Sequence, residues 1–245
     1  MRTVMNEDPA DVLKAGGTRI VLVHVGKCAG GSAILSLNNA LGDGFAMFEM
    51  HVFDANRRIR DLVASDPGDL IYLITTREPV VRFVSSYNWD KHNTYLSVEN
   101  PRKEIVDWFE EFASVDELAR GLTSEDPAKA ERALAFSRFG HMGMGQSWYT
   151  PSDLIPLLPE GRTFLLETET FDADIRHFVS AIDPGSGTAV ETFHHKGDFT
   201  AAYANAGELF SKDLSAQGRR NLRVLLHEDV LVWTALRAAF RAPRD

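Results

Sequence analysis

An α/β fold, with a central and mainly parallel sheet between two layers of helices, is predicted by three observations on this 245-residue sequence. The runs RIVLVHV (19–25) and DLIYLITT (69–76) are continuous, apolar and rich in β-branched residues, the mark of strands buried on both faces. Segments with apolar residues at helical spacing alternate with these runs, and that alternation builds parallel sheets. Polar residues suited to chemistry fall at the carboxyl ends of the predicted strands, where such sheets bind ligands. The chain is read as one domain, 1–245, with a helical insert and loop over 100–148.

The elements follow in order. Residues 1–17 read as a loosely held leader ending in Gly16-Gly17. After the 19–25 strand, SAILSLNNALG (32–42) is a helix with Ser32 as N-cap and Gly42 as its stop. FAMFEM (45–50) is a short strand that delivers His51. RRIRDLVASDPG (57–68) is a helix that must end by Asp66-Pro67, since the residue before proline avoids the helical region. Beyond the 69–76 strand, Pro79 opens a helix over 79–92 from its first position. The apolar spacing of 101–139 predicts two helices. The glycine-rich FGHMGMGQSW (139–148) predicts a loop facing a pocket, carrying His141, Gln146 and Trp148. A strand at 162–167, a helix at 171–182, an irregular stretch over 183–212 and one long helix over 214–241 complete the chain.

Composition narrows the function. The 26 Lys+Arg against 35 Asp+Glu give a formal charge of −9, which argues against nucleic acid or a heavily sulfated polyanion as main partner. The single cysteine, Cys28, excludes an internal disulfide framework and suits a reducing, cytoplasmic setting. No stretch approaches the ~20 apolar residues of a membrane span, so no stable membrane insertion is expected.

VHVGKCAGGS (23–32) runs from strand to helix through a turn of small residues. Backbone N–H groups and the positive end of a helix make such a turn an anion cradle. Gly30 and Gly31 permit close approach and unusual φ values, and Lys27 adds a full charge. A nucleotide-triphosphate loop would need serine or threonine after the lysine to hold magnesium, but Cys28 stands there, and the glycines follow the lysine. His24 reads as structural.

TTREPVVRFVSSYNW (75–89) adds a second anion site: Arg77 leaves a strand with a planar fork suited to phosphate, and Ser85 follows on the helix. At this point the chain resembles the sulfotransferases that use 3′-phosphoadenosine-5′-phosphosulfate, especially the carbohydrate-type branch. His24-Val25-Gly26-Lys27-Cys28-Ala29-Gly30-Gly31-Ser32 is similar to that family's H-I-P-K-T-G-G-T-S. Arg77-Glu78-Pro79-Val80-Val81-Arg82-Phe83-Val84-Ser85-Ser86-Tyr87 matches every fixed position of R-x-P-x-x-R-x-x-S-x-Y.

The resemblance implies a P-loop-like sulfotransferase fold and a metal-independent reaction whose product is adenosine 3′,5′-bisphosphate. It assigns the 5′-phosphosulfate to Lys27 and the backbone of Cys28, Ala29, Gly30, Gly31 and Ser32. It assigns the 3′-phosphate to Arg77 and Ser85, and gives Lys196-Gly197 the part of a late loop closing over the nucleotide. Lys27 would also neutralise charge on the leaving oxygen. The family's base lies between the two motifs, which makes His51 the candidate, with Glu49 as alternative base or as the residue that orients it. Arg82 is expected to pack beneath the phosphate site, and Tyr87 and Trp89 to be core or pocket wall. His194 and His195 are adjacent and so poorly placed to share one metal ion.

The acceptor is expected to be a hydroxyl or amine of a small molecule, lipid headgroup or saccharide. Two other functions fit parts of the pattern. A non-catalytic protein binding adenosine 3′,5′-bisphosphate would carry the same motifs, and a nucleotide-dependent kinase would share the architecture.

Overall fold

The computed structural model describes residues 1–5, 8–185, 190–193 and 199–241. Five strands, β1 (Arg2–Met5), β2 (Thr18–Val23), β3 (Phe45–Met50), β4 (Ile71–Thr76) and β5 (Thr163–Glu167), form one sheet in the order β1-β3-β2-β4-β5. Every pairing is parallel. The helices are α1 (Pro9–Lys14), α2 (Gly30–Ala40), α3 (Ala55–Ser65), α4 (Pro79–Lys91), α5 (Lys103–Glu111), α6 (Val115–Gly121) and α7 (Pro127–Ser137). There follow α8 (Gly140–Gly143), α9 (Gln146–Tyr149), α10 (Phe171–Ile182), α11 (Ala206–Leu209), α12 (Ala216–Leu225) and α13 (His227–Phe240). A π-helical turn, His92–Leu96, continues α4.

The chain divides into two compact units. The first, 1–77, 146–196 and 231–245, holds the sheet. Successive strand residues point to opposite faces, so Ile20 and Leu22 join α2 and α10 in one core with Met47, Leu73, Leu166, Ile175 and Phe178. Val21 and Val23, also fully buried, line the other face in register with Phe48 and Met50 of β3 and Tyr72 and Ile74 of β4. Helix α3 packs on β3 and against α1. The unit is thus mixed α/β on a central five-stranded parallel sheet, consistent with a three-layer α/β/α arrangement.

The second unit, 78–145 and 197–230, is helical. Its core joins Phe83, Tyr87, Phe109, Phe112, Leu118, Phe136 and Leu222. Among the described residues no helix is long and apolar enough to cross a membrane.

The structure corrects five local expectations. Within the leader, Arg2–Met5 adds an edge strand along β3, too short a run to stand out by composition, and Pro9–Lys14 forms α1 with Asp8 as its N-cap. Helix α2 begins at Gly30 with Ala29 as N-cap, so Ser32 lies inside it. The 101–139 segment forms three helices rather than two, because Ser114 and Glu117 make a capping box for α6 while Asp126-Pro127 opens α7. The 139–148 stretch is largely helical, as α8 and α9. The C-terminal helix is two, parted at Leu226 (φ −96°, ψ 20°), a turn with no glycine or proline to announce it.

Candidate functional site

Between β2 and β4 the strand connections part in opposite directions, β2 leading to β3 on one side and β4 to β5 on the other. The crevice above such a switch point is where open parallel sheets take ligands. Both motif turns of the sheet unit open there: β2 ends at Val23 and leads to Lys27, while β4 ends at Thr76 and leads to Arg77.

The first turn is held from beneath. The buried Thr75 hydroxyl accepts from the Val25 N–H at 3.0 Å and donates to the Val23 carbonyl at 3.3 Å, tying the exit of β2 to β4. Positive φ falls on Lys27 (66°) and Ala29 (61°), while Gly26, Cys28, Gly30 and Gly31 keep negative values. Neither Gly30 nor Gly31 uses the φ freedom open to a glycine there. Each left-handed non-glycine residue costs on the order of 1 kcal/mol. Alternating signs of φ curl successive N–H groups toward one point, the geometry of an anion nest. Helix α2 continues from that point with no side-chain cap at its N-terminus. Cys28 is 1% exposed, with Sγ 3.7 Å from the Gly26 carbonyl, and fills the turn rather than presenting a thiol to solvent.

Arg77 reaches back to this turn. Its Nη1 donates to the Lys27 carbonyl at 3.4 Å, and its Nε lies 3.9 Å from Glu169. That Nε is buried with no hydrogen-bond partner. The guanidinium is thus aimed at the Lys27 turn, steadied by a half-exposed carboxylate and still able to donate.

A third cluster sits at the end of β3. Glu49, its side chain 2% exposed, pairs through Oε1 with Nδ1 of His24, and its Oε2 is buried without a partner. The His24 ring stacks on His51, centroids 4.3 Å apart. His51 Nδ1 is 2.9 Å from the His24 carbonyl and 3.1 Å from the Tyr149 hydroxyl. A carbonyl can only accept, so Nδ1 of His51 carries the proton and the basic lone pair belongs to Nε2. Glycine is required at position 30 by this cluster: a Cβ there would lie 2.0 Å from Cδ2 and 2.2 Å from Nε2 of His24.

In the sheet unit the structure therefore brings together Lys27, Cys28, Ala29, Gly30, Gly31, Ser32, Arg77, Glu49 and His51. Glu49 orients His24 and not His51. His24 had read as structural and Tyr149 had not been singled out. His24 is brought to the site by the pairing of β2 and β3, which puts Val23 opposite Met50 and so sets His24 beside the end of β3. Tyr149 comes from far along the chain, and no sequence pattern connects it to His51.

The remaining predicted residues are placed as follows. Ser85 is half-buried on α4 in the helical unit. Gln146 is 1% exposed and donates to Thr150, so it is a buried helix residue rather than a pocket wall. Lys196 and Gly197, with His194 and His195, lie outside the described residues.

Within the helical unit, Arg82 is fully buried and acts as a clamp. It donates to the carbonyls of His141 (2.9 Å), Met142 (3.2 Å) and Met144 (3.2 Å) and to the Ser86 hydroxyl (3.2 Å). Asp229 lies 3.8 Å away. Asp90, its side chain 2% exposed, accepts from the backbone N–H of His141 and bonds its Nδ1 at 2.7 Å. Trp89, half-buried, packs edge-on against Phe199, and Tyr87 is core. Burial pushes the Tyr87 phenol up, out of reach of any physiological titration.

No protein-family model matches this chain, and no curated protein matches it in sequence.

Proposed function

We propose that the protein is a sulfotransferase that moves the sulfuryl group of 3′-phosphoadenosine-5′-phosphosulfate to a hydroxyl or amine of a small molecule, lipid headgroup or saccharide. The observation that carries this reading is the meeting of two strand exits, where the guanidinium of one touches the backbone of the lysine turn at the other. Arg77 turns from the end of β4 onto the carbonyl of Lys27, at the sheet's switch point. The residues present suit such a donor: Arg77 Nε makes no hydrogen bond, and α2 begins with no side-chain cap, the end of a helix that favours negative charge.

The donor supplies an activated sulfuryl group; the chain supplies position and charge. Lys27 and the N–H groups of the 26–32 turn hold and neutralise the 5′ end, and Arg77 holds the 3′-phosphate. Preorganised donors of this kind are each worth about 10²–10³ in rate. His51, its proton fixed on Nδ1 by the His24 carbonyl, takes the acceptor's proton on Nε2, a contribution of about 10²–10⁴. Glu49 is withdrawn from that role by its burial and its bond to His24.

Thermal shift with adenosine 3′,5′-bisphosphate and with ATP, each with and without magnesium, tests the reading. The bisphosphate at 100-fold over its Kd should stabilise by about 2.7 kcal/mol, without metal, and Arg77→Ala should abolish the shift. A shift with ATP and magnesium alone would replace the reading with a kinase. His51→Ala should keep bisphosphate binding and lose turnover.

A further inference from the structure

The His24–Glu49 pair has no part in the roles assigned above, yet it is the most elaborately built feature of the site. The carboxylate is almost wholly buried, bonds His24 through one oxygen, and has no hydrogen-bond partner for the other. A buried carboxylate in that position favours a cation beside it. With Nδ1 donating to Glu49, the chemistry of His24 passes to Nε2. That atom lies over Gly30, as the 2.2 Å approach to a hypothetical Cβ shows. Gly30 is the first residue of an 11-residue helix with no side-chain cap. The opposite demand is met on the ring face, where His51 stacks and grips the His24 carbonyl, fixing both the ring and its backbone.

We infer that His24, as the imidazolium, is a further ligand of the anion at the N-terminus of α2, donating through Nε2, with Glu49 as the buried counter-ion that orients it. The inference rests on the anion site proposed above and adds to it a ligand whose charge depends on pH. The other charged and titratable groups around the ring are Lys27 and Cys28 in the turn, His51 after β3, Tyr149 on His51, and Arg77 with Glu169 at the exit of β4. Lys27 and Arg77 keep their charge across the range in which an imidazole exchanges its proton, so a change in anion affinity there belongs to His24, His51 or the ligand itself. Comparison with a variant separates them.

The experiment is calorimetric titration of the full chain and of His24→Gln with adenosine 3′,5′-bisphosphate, and in parallel with inorganic pyrophosphate, from pH 5.5 to 8.5. Glutamine keeps a polar side chain but cannot charge, and both proteins meet the same ligand protonation at each pH. The wild type should bind roughly ten- to hundredfold tighter than the variant at pH 5.5, the worth of one charge-assisted hydrogen bond, and the ratio should close toward one at pH 8.5. The His24 ring resonances of the wild-type protein give a second readout that does not require the variant to fold: saturating ligand should move their titration midpoint upward. A ratio that stays constant with pH, or a midpoint that ligand does not move, overturns the assignment of His24. Pyrophosphate binding with the predicted ratio, alongside no bisphosphate binding, upholds His24 and removes the nucleotide reading. No binding of either ligand at any pH overturns both.

Discussion

Removing the fork of Arg82 tests whether the second motif arginine is scaffold rather than ligand. Arg82→Met keeps most of the side chain's length and apolar stem and deletes its donors. Three carbonyls, those of His141, Met142 and Met144, then lose a buried partner, as does the Ser86 hydroxyl. A buried acceptor left unsatisfied costs about 1–3 kcal/mol, and taking one partner from a buried ion pair costs about 3–5 kcal/mol. Partial rescue by water and the 3.8 Å separation from Asp229 keep these from adding in full. A loss of about 4 kcal/mol follows. Urea unfolding monitored by far-ultraviolet circular dichroism measures it. Arg82→Lys should recover only part, because one ammonium cannot span the carbonyls that a planar fork reaches. Stability of Arg82→Met within about 1 kcal/mol of wild type would refute the reasoning, since surface substitutions do no more than that.

Three further outcomes follow from the same geometry. Glu169→Gln removes the carboxylate 3.9 Å from Arg77 and should tighten adenosine 3′,5′-bisphosphate binding about two- to fivefold, the worth of one half-exposed ion pair, read by calorimetry. Gly30→Ala drives a methyl into the His24 ring and should lower stability by about 1–3 kcal/mol, read by thermal unfolding, with the His24 resonances displaced. Asp66 is raised by burial, but hydrogen bonds from Arg162 and from the N–H groups of Gly68 and Leu70 outweigh this and hold it below its ordinary range. A depressed carboxyl stabilises the fold above its unfolded value of about 3.9, and that stability is lost as pH falls through the folded value. Asp66→Asn should therefore be less stable than wild type at pH 7 and show a flatter loss of stability below about pH 4, measured by urea unfolding across pH.

Reading along the chain recovered the features whose cause is local. β2, β4 and α10 were evident because a strand buried on both faces must be apolar throughout, and because an amphipathic helix repeats its apolar residues at helical spacing. The split of 101–139 into three helices was written locally, in the Ser114–Glu117 capping box and Asp126-Pro127, while other corrections have a cause that is not local. Arg2–Met5 becomes a strand because β3 offers it an edge, and nothing within four residues says so. Positive φ settled on Lys27 and Ala29 because the turn must curl around a point, while Gly30 was reserved for close approach by His24.

The candidate site divides in the same way. Residue types at strand ends are a local property, so Lys27, His51, Glu49 and Arg77 were legible from spacing and from the two motifs. Which of them face one another is decided by parallel pairing. β2 and β3 set Glu49 against His24, turning a suspected partner of His51 into the counter-ion of another imidazole. Tyr149 reached His51 from 98 residues away, and Arg82 of the second motif clamps the carbonyls of α8 and the residue after it. By itself the sequence determined that there would be a buried parallel sheet with cations at its strand exits, because apolar runs and turn chemistry are carried by neighbours in the chain. Tertiary structure alone decided the partners, because a hydrogen bond or ion pair is set by distance in space, and chain order does not encode that distance.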